Sequence, residues 1–344
     1  KWETTNQFNL GLDAAFFNNR VNLVVDLYYK KTTDLLQYRY IDMSSGFNQI
    51  ACNYGNVTNK GLEITAHVIP VKTRDWMWTL DANISFNRNE IGGLNADQFS
   101  DVAWGIESMF LRRNGHPIGT LYGYVEDGFY DNEAEVRADP YYRDATPSKV
   151  KSMVGQVKYK NLDDDPVIDD RDKTIIGDTN PDYQYGITST LNWKKWTFSF
   201  FLQGTQGNDI LNVNLKQFDV AVGSGNMPYF VFNNRWTPEN RAAAKWPRAD
   251  GTFTRAMKAS DRYIVDGSYL RCKNISLSYN WAHPVKFVES INIVASITNL
   301  FTISGYEWYD PDVNAFGSDP TRRGVDMSSY PSARTFNLGI QLAF

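Results

Sequence analysis

The chain has 344 residues, 42% of them apolar and 15% aromatic, with a formal net charge of −4, a pI near 5.5 and a mean hydropathy of −0.45. So balanced a charge argues against a nucleic-acid surface, and no stretch reaches the roughly 18 apolar residues of a transmembrane helix. The 20 Tyr and 10 Trp suit an interface between apolar and wet phases, and a β-barrel stays open because its alternating strands average out as polar.

The first ten residues, KWETTNQFNL, have neither an apolar core nor a cleavage site. The expectation is a leader already removed or a natural start upstream of Lys1. From there a period-2 pattern recurs along the chain. Phe8, Leu10, Leu12, Ala14 and Phe16 alternate with polar residues, and so do Leu23, Val25, Leu27 and Tyr29. Leu62, Ile64, Ala66 and Val68 follow, and then WMWTLDANISFN sets Trp76, Trp78, Leu80, Ala82, Ile84 and Phe86 on one face. Further stripes run from Tyr185 to Trp193, Trp196 to Leu202, Ile275 to Trp281, Ile291 to Ile297, and Phe336 to Phe344. Most are long enough for the ~9–11 residues with which a tilted strand crosses a bilayer.

The connections alternate in length. Residues 17–20, 72–75, 194–195 and 283–290 are short; residues 36–58, 88–182, 209–267 and 301–332 are long. This is the asymmetry of an outer-membrane barrel, with short periplasmic turns and long extracellular loops. Tracing back from a last strand that descends to the periplasm puts every short turn below, provided residues 88–182 hold no spanning strand or two. GTLYGYVEDGFY and KSMVGQVKYK are the candidates for such a pair, so the expected count is nine to eleven strands.

Phe16, Trp76, Trp78, Trp193, Trp196, Tyr279, Trp281 and Phe344 all fall on the apolar face beside a short turn. That is a girdle at one membrane interface. By strict alternation Arg271 and Lys273 fall on the apolar side, at the upper end of their strand. A soluble propeller would need a repeat of ~40–50 residues, and no repeated signature is present. Cys52 and Cys272 lack metal or redox spacing and read as unpaired thiols, and His67, His116 and His283 have no ligand companions at a zinc-like spacing.

QFNLGLDAAFFNNRVNLVVDLYYKKTTDLL, YGNVTNKGLEI, NISFNRNEIGGL, GHPIGTLYGYVEDGFY, KTIIGDTNPDYQYGI, FFLQGTQGNDILN, RWTPENRAAAKWPR, DGSYLRCKNISLSYN and GYEWYDPDVN occur in that order. Together they resemble the closing part of SusC/RagA-type TonB-dependent outer-membrane transporters, over nearly all 344 residues. The resemblance implies an all-β, antiparallel transmembrane β-barrel of 22 strands with an N-terminal plug, of which this chain carries the C-terminal portion. No plug or TonB-box segment is visible within it. It further implies residence in the outer membrane of a Gram-negative bacterium, energy from a TonB complex, and a SusD-like surface lipoprotein as lid. The cargo would be oligosaccharides or oligopeptides. Phe344 would serve as a signal to the barrel-assembly machinery. The rival reading is a barrel with a structural or adhesive role and no transport.

No catalytic grouping appears: G-x-S-x-G, P-loop and H-E-x-x-H patterns are all missing. The one metal-like stretch is KNLDDDPVIDDRDKTIIG. Counted as a calcium loop, it offers Asn161, Asp163, Asp165, the Val167 carbonyl, Asp169 and Asp172 at alternating ligand positions. Asn161 stands where a charged first ligand is usual, and Pro166 occupies the sixth position, whose positive φ only Gly supplies readily. For cargo, aromatic platforms beside carboxylates point to Trp308, Tyr309, Asp310 and Asp312 in GYEWYDPDVN, and to Trp236 and Trp246 in the preceding loop. The lumenal Asp26, Glu63, His67, Asp81 and Asn83 read as wetted wall.

Overall fold

The computed structural model describes residues 1–40, 43–47, 49–102, 108–163, 165–216, 226–249 and 258–344. All nine expected stripes form strands: β1 (Thr4–Phe16), β2 (Val21–Thr33), β3 (Asn56–Lys72), β4 (Trp76–Gly92), β5 (Tyr183–Trp193), β6 (Trp196–Gln206), β7 (Tyr269–Val285), β8 (Val288–Ser304) and β9 (Thr335–Ala343). They pair in sequence order as one antiparallel meander, the curved wall of a partial barrel. The two segments proposed as an extra spanning pair stay outside this wall. Glu126–Phe129 pairs with Val157–Tyr159 in a small separate sheet, so nine strands make up the wall among the described residues.

The register keeps one kind of residue in each row. Leu12, Val25, Ile64 and Ile84 lie side by side across four strands, while Asp26 and Glu63 share the opposite face. The apolar rows face outward and are open: Leu338 is 76% exposed, and Phe8, Leu10 and Leu12 are exposed likewise. In water each such side chain would forgo roughly 1.5–3 kcal/mol of burial. Hydrocarbon removes that cost. The aromatic girdle forms as expected at the short-turn end, where Trp76 stacks on Trp193 at 5.4 Å and Trp196 packs on Tyr279 at 4.7 Å.

Inside the wall, close packing depends on a missing side chain. A Cβ on Gly61 would fall 2.2 Å from the Tyr28 ring. Tyr28 therefore lies flat across Gly61 and donates from its hydroxyl to Asn87 Oδ1 at 2.9 Å, which ties three neighbouring strands together.

Strict alternation fails at one place that matters. In β7 the register slips between Cys272 and Asn274, leaving Lys273 as an extra residue against β6, while β8 sets both Asn299 and Leu300 opposite it. Leu202 then faces Cys272, and Arg271 faces Gln203 on the lumenal side. Arg271 is therefore not on the apolar side, as simple counting from Ile275 placed it; a bulge reverses the facing of everything beyond it. Its side chain is 1% exposed.

The long connections fold over one end of the wall into a cap with its own core. Met109, Phe110, Leu121, Leu211, Val213, Tyr263 and Val325 come from distant loops and are almost fully buried. A satellite cluster packs helices α1 (Glu133–Ala138) and α2 (Pro147–Met153) through Val136, Val150 and Met153. Asn132 and Thr146 cap these helices by accepting from Glu135 N–H and Lys149 N–H.

Candidate functional site

A cavity of about 700 Å³ opens in the cap. Its floor is an ion pair. Arg262 donates from Nε and Nη2 to the two carboxylate oxygens of Glu126 at 2.6 and 2.7 Å, and Ser260 Oγ adds a third bond to Oε1. Burial pushes the Glu126 carboxyl up, against the opposing pull of the Arg262 guanidinium. The pair is locked further by Arg262 Nη1 donating to the Lys245 carbonyl at 2.9 Å.

Aromatic side chains form the walls. Phe230, on helix α3 (Tyr229–Asn234), meets Trp246 edge-on at 6.0 Å. Tyr306 and Trp308 complete the aromatic lining. The backbone brings these together because Trp246 N–H donates to the Asn234 carbonyl, folding residues 235–246 back on the helix. Tyr306 is held by its hydroxyl on Asp326 Oδ2 at 2.5 Å. Lys245 and Glu307 are the exposed charges of the lining.

The six residues expected to bind cargo are dispersed: Trp246 lines the cavity, and the Asp312 carboxylate stands 3.7 Å from Arg271 Nη1. Trp308 lines the cavity. Tyr309 is 67% exposed and touches Trp308 edge-on at 5.6 Å, facing a smaller cleft instead. Asp310 is buried and ion-paired with Arg271, which also donates to Thr302 Oγ1 at 3.0 Å. Asp310 accepts in addition from Asp312 N–H and Ser332 N–H. It is a clasp between the cap and the top of the wall. Burial raises the Asp310 carboxyl, but Ser332, Asp312 N–H and the Arg271 guanidinium outweigh it and hold the group below the usual carboxylate range. Trp236 is 4% exposed, donates from Nε1 to Asp131 Oδ1 at 3.1 Å, and packs against Gly155. It supports the cap from within and does not line the cavity.

The acidic stretch 161–172 is organised around an arginine. Asp163, Asp165 and Asp169 all pair with the Arg171 guanidinium. Asp172 gives one carboxylate oxygen to Leu162 N–H and the other to Asp169 N–H. Asn161 donates from its amide to the Asp165 carbonyl. Among the described residues no group of three His, Cys, Asp or Glu has the geometry to hold a metal ion. As arranged here the six residues do not fit a calcium centre, because Arg171 supplies the positive charge at the point where the carboxylates converge.

Phe344 follows the last strand and is 82% exposed, in line with the outward row of β9. Cys52 and Cys272 are free thiols.

Residues 1–300 match the family described as TonB dependent receptor-like, beta-barrel. The chain belongs to that family. It is 31% identical to TonB-dependent receptor P26 of Formosa agariphila and 31% identical to TonB-dependent receptor SusC of Bacteroides thetaiotaomicron, aligning over its whole length in both cases. It covers 35% of the first protein and 32% of the second, so it spans about a third of the length of these curated relatives. Among solved structures, the RagAB peptide transporter superposes on the whole chain with a TM-score of 0.78 at 21% identity, the chain covering 35% of it. That likeness establishes the fold. As a TonB-dependent receptor barrel the chain is an outer-membrane protein of the Gram-negative type. Its short turns are periplasmic and its cap extracellular.

Proposed function

We propose that this chain forms part of the wall and the outer cap of a TonB-dependent importer that takes up oligosaccharides or oligopeptides. The observation that carries the reading is the pairing of an inside-out wall with an aromatic, charged cavity in the extracellular cap. A purely structural barrel would have no use for the cavity. The solved neighbour RagAB is a peptide transporter and the relative SusC a TonB-dependent receptor, and both support import by analogy. The cap meets cargo and a SusD-like surface lipoprotein, while TonB acts on a plug carried elsewhere in the full-length protein.

The test is gentle detergent extraction of outer membranes, pull-down on this chain and mass spectrometry of what is retained. Recovery of plug-bearing sequence with a surface lipoprotein, together with oligomer uptake that stops when TonB is deleted, is the expected result. Recovery of this chain alone, at its own mass, with uptake unaffected by its loss, would remove the proposal.

A further inference from the structure

We propose that the cap cavity seats one aromatic or large aliphatic side chain of an incoming peptide, whose backbone crosses the mouth between Lys245 and Glu307. This rests on the import reading above and narrows its cargo to peptide. Three observations favour a peptide over a glycan.

First, the rings are mutually tilted. Phe230 and Trp246 stand at 61° to each other, and Tyr306 and Trp308 share the lining. A pyranose stacks best on a single open ring face, whereas a box of tilted rings surrounds an apolar side chain. Second, the buried ion pair of the lining is engaged within itself, and the Asn212 carbonyl oxygen Oδ1 already accepts from Asn214. Glu126 accepts bonds from Arg262 and Ser260, and Arg262 Nη1 donates to the Lys245 carbonyl. A sugar's hydroxyls need partners at that depth; a hydrocarbon side chain does not. Third, the exposed rim charges are of opposite sign, Lys245 and Glu307. They complement a chain that carries both an acidic and a basic group beside its apolar residue. A neutral glycan gives neither charge anything to pair with. The volume of about 700 Å³ holds a side chain and its adjoining backbone.

The experiment uses the full-length transporter, purified with its natural partners, and a capped pentapeptide with p-benzoylphenylalanine at its centre between lysine and glutamate. Irradiation is expected to cross-link the probe to Phe230, Trp246 or residues 305–308. The same peptide with phenylalanine at its centre should compete about tenfold better than the one with alanine. Maltotriose and cellotriose should not compete. Phe230→Ala and Trp308→Ala should each cut the cross-link at least about fivefold while keeping the heat-modifiable migration of an intact barrel. Cross-links confined to other segments, equal competition by the alanine peptide, or displacement by a trisaccharide would each overturn the proposal. Uptake measured alongside separates the two claims. Lost TonB-dependent uptake with an intact cross-link would fault the import reading, and intact peptide uptake without the cross-link would fault the pocket.

Discussion

The wall and the cap use the same driving force in opposite directions. In the wall the large apolar side chains point out, so that Phe336, Leu338 and Ile340 are exposed and the lumenal face is polar. In the cap Met109, Phe110 and Leu121 are buried against residues from remote loops, and the charges face water or each other. The wall draws its stability from backbone pairing and from lipid, and each strand needs only its two neighbours. The cap depends on long-range packing and on a few buried ion pairs. A change on an outward wall position is felt through the membrane; a change in the cap is felt through a network.

The largest effect expected from this contrast is at the clasp between the two regions. Asp310→Ala leaves Arg271 buried with only the looser Asp312 contact at 3.7 Å and should cost about 3 kcal/mol locally. Hydrogen exchange of the full-length protein should show residues 305–332 opening while the wall strands stay protected. Equal deprotection of both would mean that wall and cap are one cooperative unit. Next comes Leu338→Arg on the outward face of β9, near the middle of the strand. Arginine at the bilayer midplane costs about 2–4 kcal/mol, so heat-modifiable protein in outer membranes should fall sharply. An unchanged level would put Leu338 away from lipid.

Gly61→Ala sharpens the picture within the wall. The added methyl collides with the Tyr28 ring, which must swing away and release Asn87. A loss of about 1–3 kcal/mol should appear as a lower denaturant midpoint, and Tyr28→Phe should reproduce only the part due to the hydrogen bond. Acid probes the clasp without mutation. The Asp310 carboxyl sits below its ordinary value, so its contribution is present above the ordinary carboxylate range and is lost as pH falls through the lowered one. Protease nicking of residues 305–332 should rise below about pH 4 in the wild type and rise less steeply in Asp310→Asn, where Asp319 is left to titrate. The smallest effect is at Arg171, on the surface. Arg171→Gln should leave the melting temperature almost unchanged, yet the freed carboxylates should give a calcium heat in calorimetry that the wild type does not.

The wall was legible in the sequence because period 2 is a local property: Trp76 to Phe86 states its own sidedness without reference to any other segment. The cap was not. Its cavity takes Glu126, Phe230, Trp246, Arg262 and Trp308 from segments up to 182 positions apart, and nothing local marks them as neighbours. Trp236 and Trp308 both sit in loops beside polar residues, and only packing tells the internal prop from the lining residue. Asp310 reads as a cargo ligand because it follows Trp308 and Tyr309, and its pairing with Arg271 depends on a bulge that strict alternation does not show. The acidic run 161–172 was visible, but the role of Arg171 inside it was not, since ligand spacing counts oxygens and ignores the cation already in the chain.

Lys273 sets the height at which one region gives way to the other. From Trp281 in the girdle to Lys273 the strand climbs roughly 27 Å along its own direction, or about 21 Å of vertical rise at the usual tilt, close to the ~25 Å apolar band of such barrels. Below that residue β7 is read in the frame of the bilayer; above it, in the frame of the cap. The slip works as a frameshift in sidedness, matched in β8 by Asn299 and Leu300 opposite Lys273. Deleting Lys273 would therefore remove the bulge yet keep Cys272 opposite Leu202 and Arg271 in the lumen, whereas an unbulged strand that retained Lys273 would turn Arg271 toward the lipid headgroups. A slip shared by two neighbouring strands thus marks where this protein leaves the membrane.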